Sequence, residues 1–205
     1  MYSAVAKYGN KIFSTALTYV IAAYAGCVVV IIFIMIIPVW VYAKINPVKY
    51  IVKVRKPLYM AFTTCSSAAT MPLTIKTCNE EFDLQERVTN LIIPFGSTVH
   101  MCGCAVSFSL LAIFNMQMLD MPMNVGAFLI IFFAALLLTI GAPGISNGGI
   151  IMDISFLSIL GIPLSFVGLY AGIYRALDAG YTTVNVLGDI TANILLGHKK
   201  KKKEA

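Results

Sequence analysis

The residues with the clearest chemical potential lie near the end of the chain, in the segment YRALDAGYTTVNVLGD, residues 174–189. Arg175, Asp178, Thr182, Asn185 and Asp189 follow one another at helical spacing, so a helix would place all five on one face. A carboxylate on such a face suits an ammonium group or a dehydrated Na⁺, with carbonyl oxygens from unwound backbone completing the cation shell. The structural alternative is an Arg175–Asp178 ion pair with a capping carboxylate further along.

The surroundings of this polar face are strongly apolar. The chain is 59% hydrophobic and 12% charged, with a mean hydropathy of +0.86, whereas ordinary globular domains carry about 25% charged residues. Uncharged stretches cover residues 13–43, 57–75, 88–119 and 121–152, and several exceed the ~20 apolar residues that cross a bilayer. We therefore predict a helical integral membrane protein, in which embedded charges usually serve a cavity, an ion path or each other.

The basic residues indicate orientation. The net charge is +6, and lysine and arginine concentrate at residues 44–56 and in the tail at residues 198–205. Both clusters are typical of cytoplasmic sides, which predicts a multi-pass protein of the plasma membrane with a cytoplasmic C-terminus. A lysine run beside a membrane is more often an orientation signal or a lipid contact than a nucleic-acid site, so we expect no nucleic-acid partner. The five cysteines lie within apolar segments and are interpreted as packing residues.

Five segments are predicted to position the polar face. Residues 8–43 form a transmembrane helix and are followed by a short basic linker. Residues 57–81 form two half-helices with a polar tip, because TTCSSAATMP competes for backbone hydrogen bonds and Pro72 disfavours helix at Met71. Residues 88–117 form a helix interrupted at FGSTVHMCGC, residues 122–160 form a second broken hairpin around GAPGISNGG, and residues 163–197 form the last helix. Such a repeat of interrupted segments indicates a secondary transporter.

Two other motifs contain residue types that could carry chemistry. His100, Cys102 and Cys104 would hold a metal only if the helix unwound, and zinc motifs usually bring a second ligand pair, so packing by small residues is favoured. The glycine-rich segment at 141–149 lacks the lysine of a phosphate-binding loop. His100 with Cys104 is the only candidate nucleophile–base pair. We therefore expect neither enzymatic activity nor an organic cofactor.

Taken together, the motifs resemble the glutamate transporter family, the dicarboxylate/amino acid:cation symporters. The matching segments are SSAATMP at 66–72, GSTVHM at 96–101, the glycine-rich tip at 141–149 and TTVNVLGD at 182–189. The resemblance implies an all-α elevator-type transport domain in which residues 57–81 and 122–160 are re-entrant hairpins. It also implies that the family's first five helices, which include the scaffold of its homotrimer and one helix of the transport domain, are not part of this sequence. The chain is then a fragment, a split gene or a partner of another chain that supplies those helices.

The resemblance also implies a set of functional residues. Asp178 would bind the substrate amino group, Thr182 and Asn185 its backbone end, and Ser67 its carboxylate. The full substrate set implied in this way is Ser66, Ser67, Cys104, Ile145, Gly149, Asp178, Tyr181, Thr182 and Asn185. Asp189 would bind a coupling Na⁺ with main-chain oxygens of Gly96, His100 and Asn185. A second cation site would use Thr98, Met101 and main-chain groups near Thr139, Ile140 and Ala142.

Departures from the family pattern bear on ions and substrate. Cys102 stands where the family has an aspartate of a third Na⁺ site, and His100 titrates near neutral pH when unperturbed, so H⁺ is an alternative coupling ion. Tyr181 stands where acidic-substrate members carry arginine, and an unpaired substrate carboxylate there would cost several kcal/mol. We therefore expect symport of a neutral or small polar amino acid. A dicarboxylate stays open because Arg175 lies one turn away, and a fragment that does not transport alone is the alternative function.

Overall fold

The structure, a computed structural model, describes residues 10–164 and 167–197. Within those residues the protein is helical and contains no β-strand. The basic tail at 198–205 lies outside the described residues. The helices are α1 (Asn10–Val30), a π-helical segment (Ile31–Ile36), α2 (Ile37–Tyr42), α3 (Pro47–Thr64), α4 (Ser67–Glu81), α5 (Glu86–Val99), α6 (Cys102–Met118), α7 (Val125–Ile140), α8 (Gly148–Ile159) and α9 (Val167–Gly197).

Helix α9 is the centre of the molecule. It packs against α1, α3, α5 and α6 and also contacts α2, α4, α8 and the π-helical segment. Its apolar residues Leu177, Val184, Leu187 and Ile190 are buried in the core, and burial of such side chains is the main favourable contribution to packing. The polar face predicted from the spacing therefore lies on a helix that is surrounded by protein.

Two helical stretches in the described part are long and apolar enough to cross a membrane, namely Thr15–Tyr42 and Glu86–Met118. The outer surface of the bundle carries large exposed apolar side chains, among them Phe33 and Ile34 on the first stretch and Phe132 and Phe133 on α7. An apolar surface of this kind suits lipid contact. Helix α9, with 31 residues, is also long enough, but it carries the charged residues Arg175, Asp178 and Asp189.

Two pairs of shorter helices form hairpins. Helices α3 and α4 pack together and turn at Cys65 and Ser66, and the side chain of Lys53 contacts Glu81 at their open end. Helices α7 and α8 pack together and are joined by the glycine-rich segment. With 15, 16 and 12 residues, α4, α7 and α8 are about 22, 24 and 18 Å long, less than the ~30 Å hydrocarbon core.

The linker between the first two segments is shorter than its basic residues suggested, because only residues 43–46 are not helical and the chain is helical from Pro47 onwards. The Asn46 side chain accepts hydrogen bonds from Val48 N (2.9 Å) and Lys49 N (3.3 Å), and Pro47 occupies the first helical position. An asparagine cap followed by proline favours helix initiation. The Asn46-Pro47 pair therefore marks a helix start, and the lysines and the arginine that follow it are good helix formers.

Pro72 does not interrupt its helix as predicted, since Met71 and Pro72 both lie within α4. The break falls earlier, where Cys65 adopts a left-handed conformation (φ 51°) and the Ser66 side chain accepts a hydrogen bond from Ala69 N (3.1 Å). A left-handed residue ends a helix and a serine cap begins the next one. The left-handed residue and the serine cap together fix the position of the break, whereas the backbone hydrogen bond that proline lacks does not end the helix.

Candidate functional site

A small cavity lies where the two hairpin tips meet α6 and α9. Its volume is about 20 Å³, room for about one water molecule, so an amino acid would enter only if the tips moved apart. The lining residues are Cys65, Ser67, Met101, Cys104, Ser107, Phe108, Pro143, Gly144, Ile145, Gly149, Asp153, Tyr174, Asp178, Tyr181, Thr182 and Asn185. Of the substrate residues implied by the resemblance, Ser66 is not part of this lining.

Asp178 connects the last helix with the second tip. Its side chain accepts hydrogen bonds from Asn147 N (3.3 Å) and from the Thr182 hydroxyl (3.4 Å), and the residue is 7% exposed. Asn147 is left-handed (φ 62°) and precedes α8, so the turn directs its amide towards the carboxylate. Two long hydrogen bonds leave further acceptor positions on Asp178, which an ammonium group would fill.

Asn185 holds the break in the α5–α6 helix. Its amide oxygen accepts a hydrogen bond from Gly103 N (2.7 Å), and its amide nitrogen contacts the Met101 sulfur (3.2 Å). A Cβ at Gly103 would collide with the backbone carbonyl of Tyr181. The absence of a side chain there allows α6 and α9 to approach closely.

Direct hydrogen bonds join the two tips. The Ser66 hydroxyl (2.9 Å) and Ala68 N (3.0 Å) both donate to the Gly144 carbonyl. Arg175 donates to the Ser146 hydroxyl (2.6 Å) in the second tip and to the Thr63 carbonyl (3.0 Å) beside the first. The guanidinium group thus bridges the tips, and the Arg175–Asp178 ion pair considered above is not among the ion pairs of the described residues.

The residues assigned to the first cation site lie close together. Asp189 is 2% exposed, and its Oδ1 lies 3.1 Å from Nδ1 of His100, whose Nε2 lies 3.0 Å from the sulfur of Cys102. A Cβ at Gly96 would come within 2.5 Å of Oδ1 of Asp189, so only glycine leaves room for the carboxylate there. Carboxylate and carbonyl oxygens are the ligands that hard cations prefer, and in this conformation the Gly96 carbonyl accepts a hydrogen bond from His100 N (2.8 Å).

The chain does unwind at His100 and Met101, between α5 and α6, as the metal interpretation of the histidine and cysteines required. Within the described residues, however, no group of three or more His, Cys, Asp and Glu side chains is arranged to hold a metal ion. The imidazole instead pairs with Asp189, which lies on a different helix.

The residues assigned to a second cation site are less clearly assembled. The Thr98 hydroxyl donates to the Phe95 carbonyl (2.9 Å), and the Thr139 hydroxyl donates to the Ala135 carbonyl (2.7 Å). Ile140 is exposed and Ala142 is buried. Helix α5, which carries Thr98, and helix α7, which carries Thr139, contact each other. In this conformation, however, each hydroxyl donates its hydrogen bond to a carbonyl of its own helix.

The family model of the sodium:dicarboxylate symporters matches residues 1–199. The chain belongs to the sodium:dicarboxylate symporter family. Human neutral amino acid transporter A is 30% identical over 198 residues, covering 97% of this chain and 36% of the relative. The putative sodium-dependent excitatory amino acid transporter glt-4 of Caenorhabditis elegans is 35% identical over 156 residues, covering 76% and 31%. Mouse excitatory amino acid transporter 5 is 31% identical over 180 residues, covering 88% and 32%.

The chain therefore spans about a third of the length of these relatives. The family is one of membrane transport proteins. The prediction of the family from the four motifs is confirmed.

One residue of the cavity lining was missed by sequence reasoning. Asp153 is 3% exposed and lies in α8, where it contacts Ser107 of α6 and Tyr170 of α9. Its signal in the sequence was a single carboxylate directly after an uncharged stretch of the second hairpin. A lone ionisable group inside an apolar segment usually has a functional role. The same argument, applied to the second hairpin, would have identified Asp153.

Proposed function

We propose that this chain forms a substrate-binding part of a secondary transporter that couples symport of an amino acid to Na⁺. One observation supports this above all. The buried cavity lies between two hairpin tips and is lined by Asp178, a carboxylate with acceptor positions left for an ammonium group. Family membership supports the coupling to sodium.

In the proposed complex, Asp178 binds the substrate ammonium group and the hydroxyl of Ser67 meets the carboxylate. Thr182 and Asn185 hold the backbone end of the amino acid. Charge-assisted hydrogen bonds of this kind are the stronger ones in proteins. Because Asn185 is engaged with Gly103 and Met101 here, we expect it to exchange partners when substrate binds.

For the substrate we propose a neutral or small polar amino acid. The cavity lining contains two carboxylates and neither lysine nor arginine, so an acidic side chain would bring a further negative charge without a partner. The guanidinium of Arg175 is directed to the tips and does not provide that partner in this conformation. A dicarboxylate remains the alternative, and the names of the relatives include both neutral and excitatory amino acid transporters.

For the coupling ion we propose Na⁺ bound by Asp189 and main-chain oxygens of Gly96, His100 and Asn185, with a second ion near Thr98 and Thr139. The close approach of Gly96 to Asp189 supports the first site. Coupling to H⁺ is the alternative, and the two ions are separated by imposing a sodium gradient and a pH gradient independently.

For the mechanism we propose two re-entrant hairpins in an elevator-type domain. The short arms of both hairpins and the contact of Lys53 with Glu81 support hairpins that enter and leave the membrane on one side. Alternating access would follow from movement of this domain against a scaffold in a homotrimer. Because the chain spans about a third of its relatives, a partner-dependent protein that does not transport alone is the second candidate.

Uptake into proteoliposomes tests the proposal. We expect labelled serine, alanine, aspartate or cystine to accumulate when a Na⁺ gradient is imposed, with the chain alone or together with a chain that supplies scaffold helices. Asp178→Asn should abolish accumulation, since it removes the charge that pairs with the ammonium group, whereas Asp120→Asn, in the turn after α6, should leave it unchanged. If no amino acid accumulates in any arm, the transport proposal fails.

A further inference from the structure

The assigned substrate and cation sites leave one carboxylate of the cavity without a role. Asp153, in α8, is 3% exposed and lines the same cavity as Asp178. The Ser107 hydroxyl donates to its Oδ1 (3.2 Å) and the Tyr170 hydroxyl donates to its Oδ2 (2.8 Å). No lysine or arginine lines the cavity, so nothing there compensates a negative charge at this position. A buried carboxylate in such surroundings is costly unless a further partner completes it.

The hydroxyl protons of this cluster do not suffice for its contacts. Ser107 and Tyr170 lie 2.9 Å apart and are also in hydrogen-bond contact with each other, which makes three contacts with the carboxylate included. Each hydroxyl carries one proton and an ionised carboxylate carries none. Two protons cannot fill three hydrogen bonds, so the Ser107–Tyr170 contact has no proton of its own when both hydroxyls donate to an ionised Asp153. Each oxygen of that carboxylate then accepts one hydrogen bond and keeps an acceptor position that a donor group on a ligand can fill.

A second polar group of the cavity wall also lacks a partner. Tyr181 is 3% exposed and lines the cavity, and within the described residues its hydroxyl has no hydrogen-bond partner. Buried polar groups are nearly always satisfied, so an unpartnered hydroxyl needs an explanation. The cavity therefore presents a carboxylate with acceptor positions left together with a hydroxyl that has no partner. A hydroxyl group on a ligand can donate to the first and accept from the second.

We propose that Asp153 is a specificity-determining residue that accepts a hydrogen bond from the side chain of the transported amino acid. The inference rests on the proposed function and narrows its substrate class to small amino acids with a side-chain hydroxyl. An apolar side chain offers neither a donor to Asp153 nor a partner to the Tyr181 hydroxyl. A carboxylate side chain adds repulsion.

Ligand-induced thermal stabilisation of the purified chain tests this, because binding does not need a scaffold. Serine and alanine differ by one hydroxyl group. We expect the wild-type chain to bind serine more tightly than alanine by about tenfold, the value of one hydrogen bond to a charged group. Asp153→Leu should remove most of this preference while alanine still binds. Asp153→Asn, of nearly equal volume, should raise the affinity for aspartate relative to asparagine, and Asp120→Asn serves as the matched control.

The outcomes separate the inference from the function on which it rests. Unchanged serine-to-alanine and aspartate-to-asparagine ratios in the folded Asp153 variants would overturn the inference while leaving amino-acid binding in place. An equal change in the affinity for all four amino acids in the Asp153 variants, with unchanged ratios, would assign Asp153 a purely structural role and equally overturn it. Serine-selective binding without uptake into proteoliposomes would support the inference and contradict transport by the chain alone. Absence of any amino-acid binding would contradict both.

Discussion

At the scale of single residues, the cavity is lined by two carboxylates and by no lysine or arginine. Asp178 and Asp153 line it, Arg175 is turned to the hairpin tips, and Tyr181 contributes a hydroxyl without a partner. Electrostatics in a buried site are strengthened by the low dielectric. A single substitution in this lining should therefore change which side chains are accepted.

The first prediction concerns Tyr181→Arg. A guanidinium at this position would pair with an acidic side chain, so we expect the affinity for aspartate to rise by roughly tenfold or more. Competition of aspartate against labelled serine in a binding assay measures it. Tyr181→Phe removes the hydroxyl without adding charge and is the matched control. Unchanged selectivity in the arginine variant would show that this position does not face the substrate side chain.

At the scale of elements, function depends on how closely helices and tips approach. The α5–α6 helix unwinds at His100 and Met101, and α9 fits into that break because Gly103 has no side chain. The two tips are joined at Gly144 and by Arg175. Closely packed elements change between a few distinct packing arrangements and do not deform continuously, and gating depends on such a change between an open and a closed arrangement.

The second prediction concerns Gly103→Ala. The added methyl group would collide with the Tyr181 carbonyl, so we expect a loss of stability of about 1–3 kcal/mol from overpacking. Thermal unfolding in detergent measures it. Gly168→Ala on α9 is the control, because its Cβ would meet nothing within 4 Å and alanine favours helix. Equal melting temperatures of the two variants would contradict the close approach of α6 and α9.

The third prediction concerns Arg175→Met. Removing the bridge between the tips should expose Cys65, which is 2% exposed and lines the cavity. We expect its alkylation rate to rise roughly tenfold, since hydrogen bonds to a charged group are lost. Mass spectrometry of the labelled peptide measures the rate, and substrate should slow it. Lys76→Met removes an exposed i,i+4 pair with Glu80 and should have no effect. An unchanged rate at Cys65 would show that Arg175 does not hold the tips closed.

At the scale of the whole molecule, the outer surface is as informative as the site. Large apolar side chains are exposed along Thr15–Tyr42 and α7, whereas the charged residues Asp153, Asp178 and Asp189 are buried. This is the reverse of a water-soluble protein, and it suits a bundle whose polar groups face inwards while lipid or other helices cover the outside.

The fourth prediction concerns Val29→Lys, at an exposed position near the middle of Thr15–Tyr42. A lysine at the centre of a membrane helix costs about 2.5–3.5 kcal/mol on insertion scales. We therefore expect a lower inserted fraction of this helix in a microsomal insertion assay. Val29→Leu should insert like the wild type. Full insertion of the lysine variant would argue that this position does not face lipid.

The sequence by itself determined the helical membrane class, the family and the face of the last helix that carries Asp178 and Asp189. These follow from the lengths of apolar segments, from local motifs and from the period of a helix, all of which are properties of neighbouring residues. It did not determine where the first hairpin turns. Both Ser66, which caps a helix, and Pro72, which disfavours one, are possible positions of the break, and tertiary packing decides between them.

Only the tertiary structure decided which distant residues meet. In the structure, His100 pairs with Asp189 and Asp153 of α8 contacts Ser107 of α6. Arg175 binds the hairpin tips and does not form an ion pair with Asp178. Such contacts join residues far apart in the chain, and no periodicity encodes the distance between them. The physical reason is that side-chain partners are chosen by the packing of helices around α9, so the donors and acceptors in the cavity are defined only once the bundle has formed.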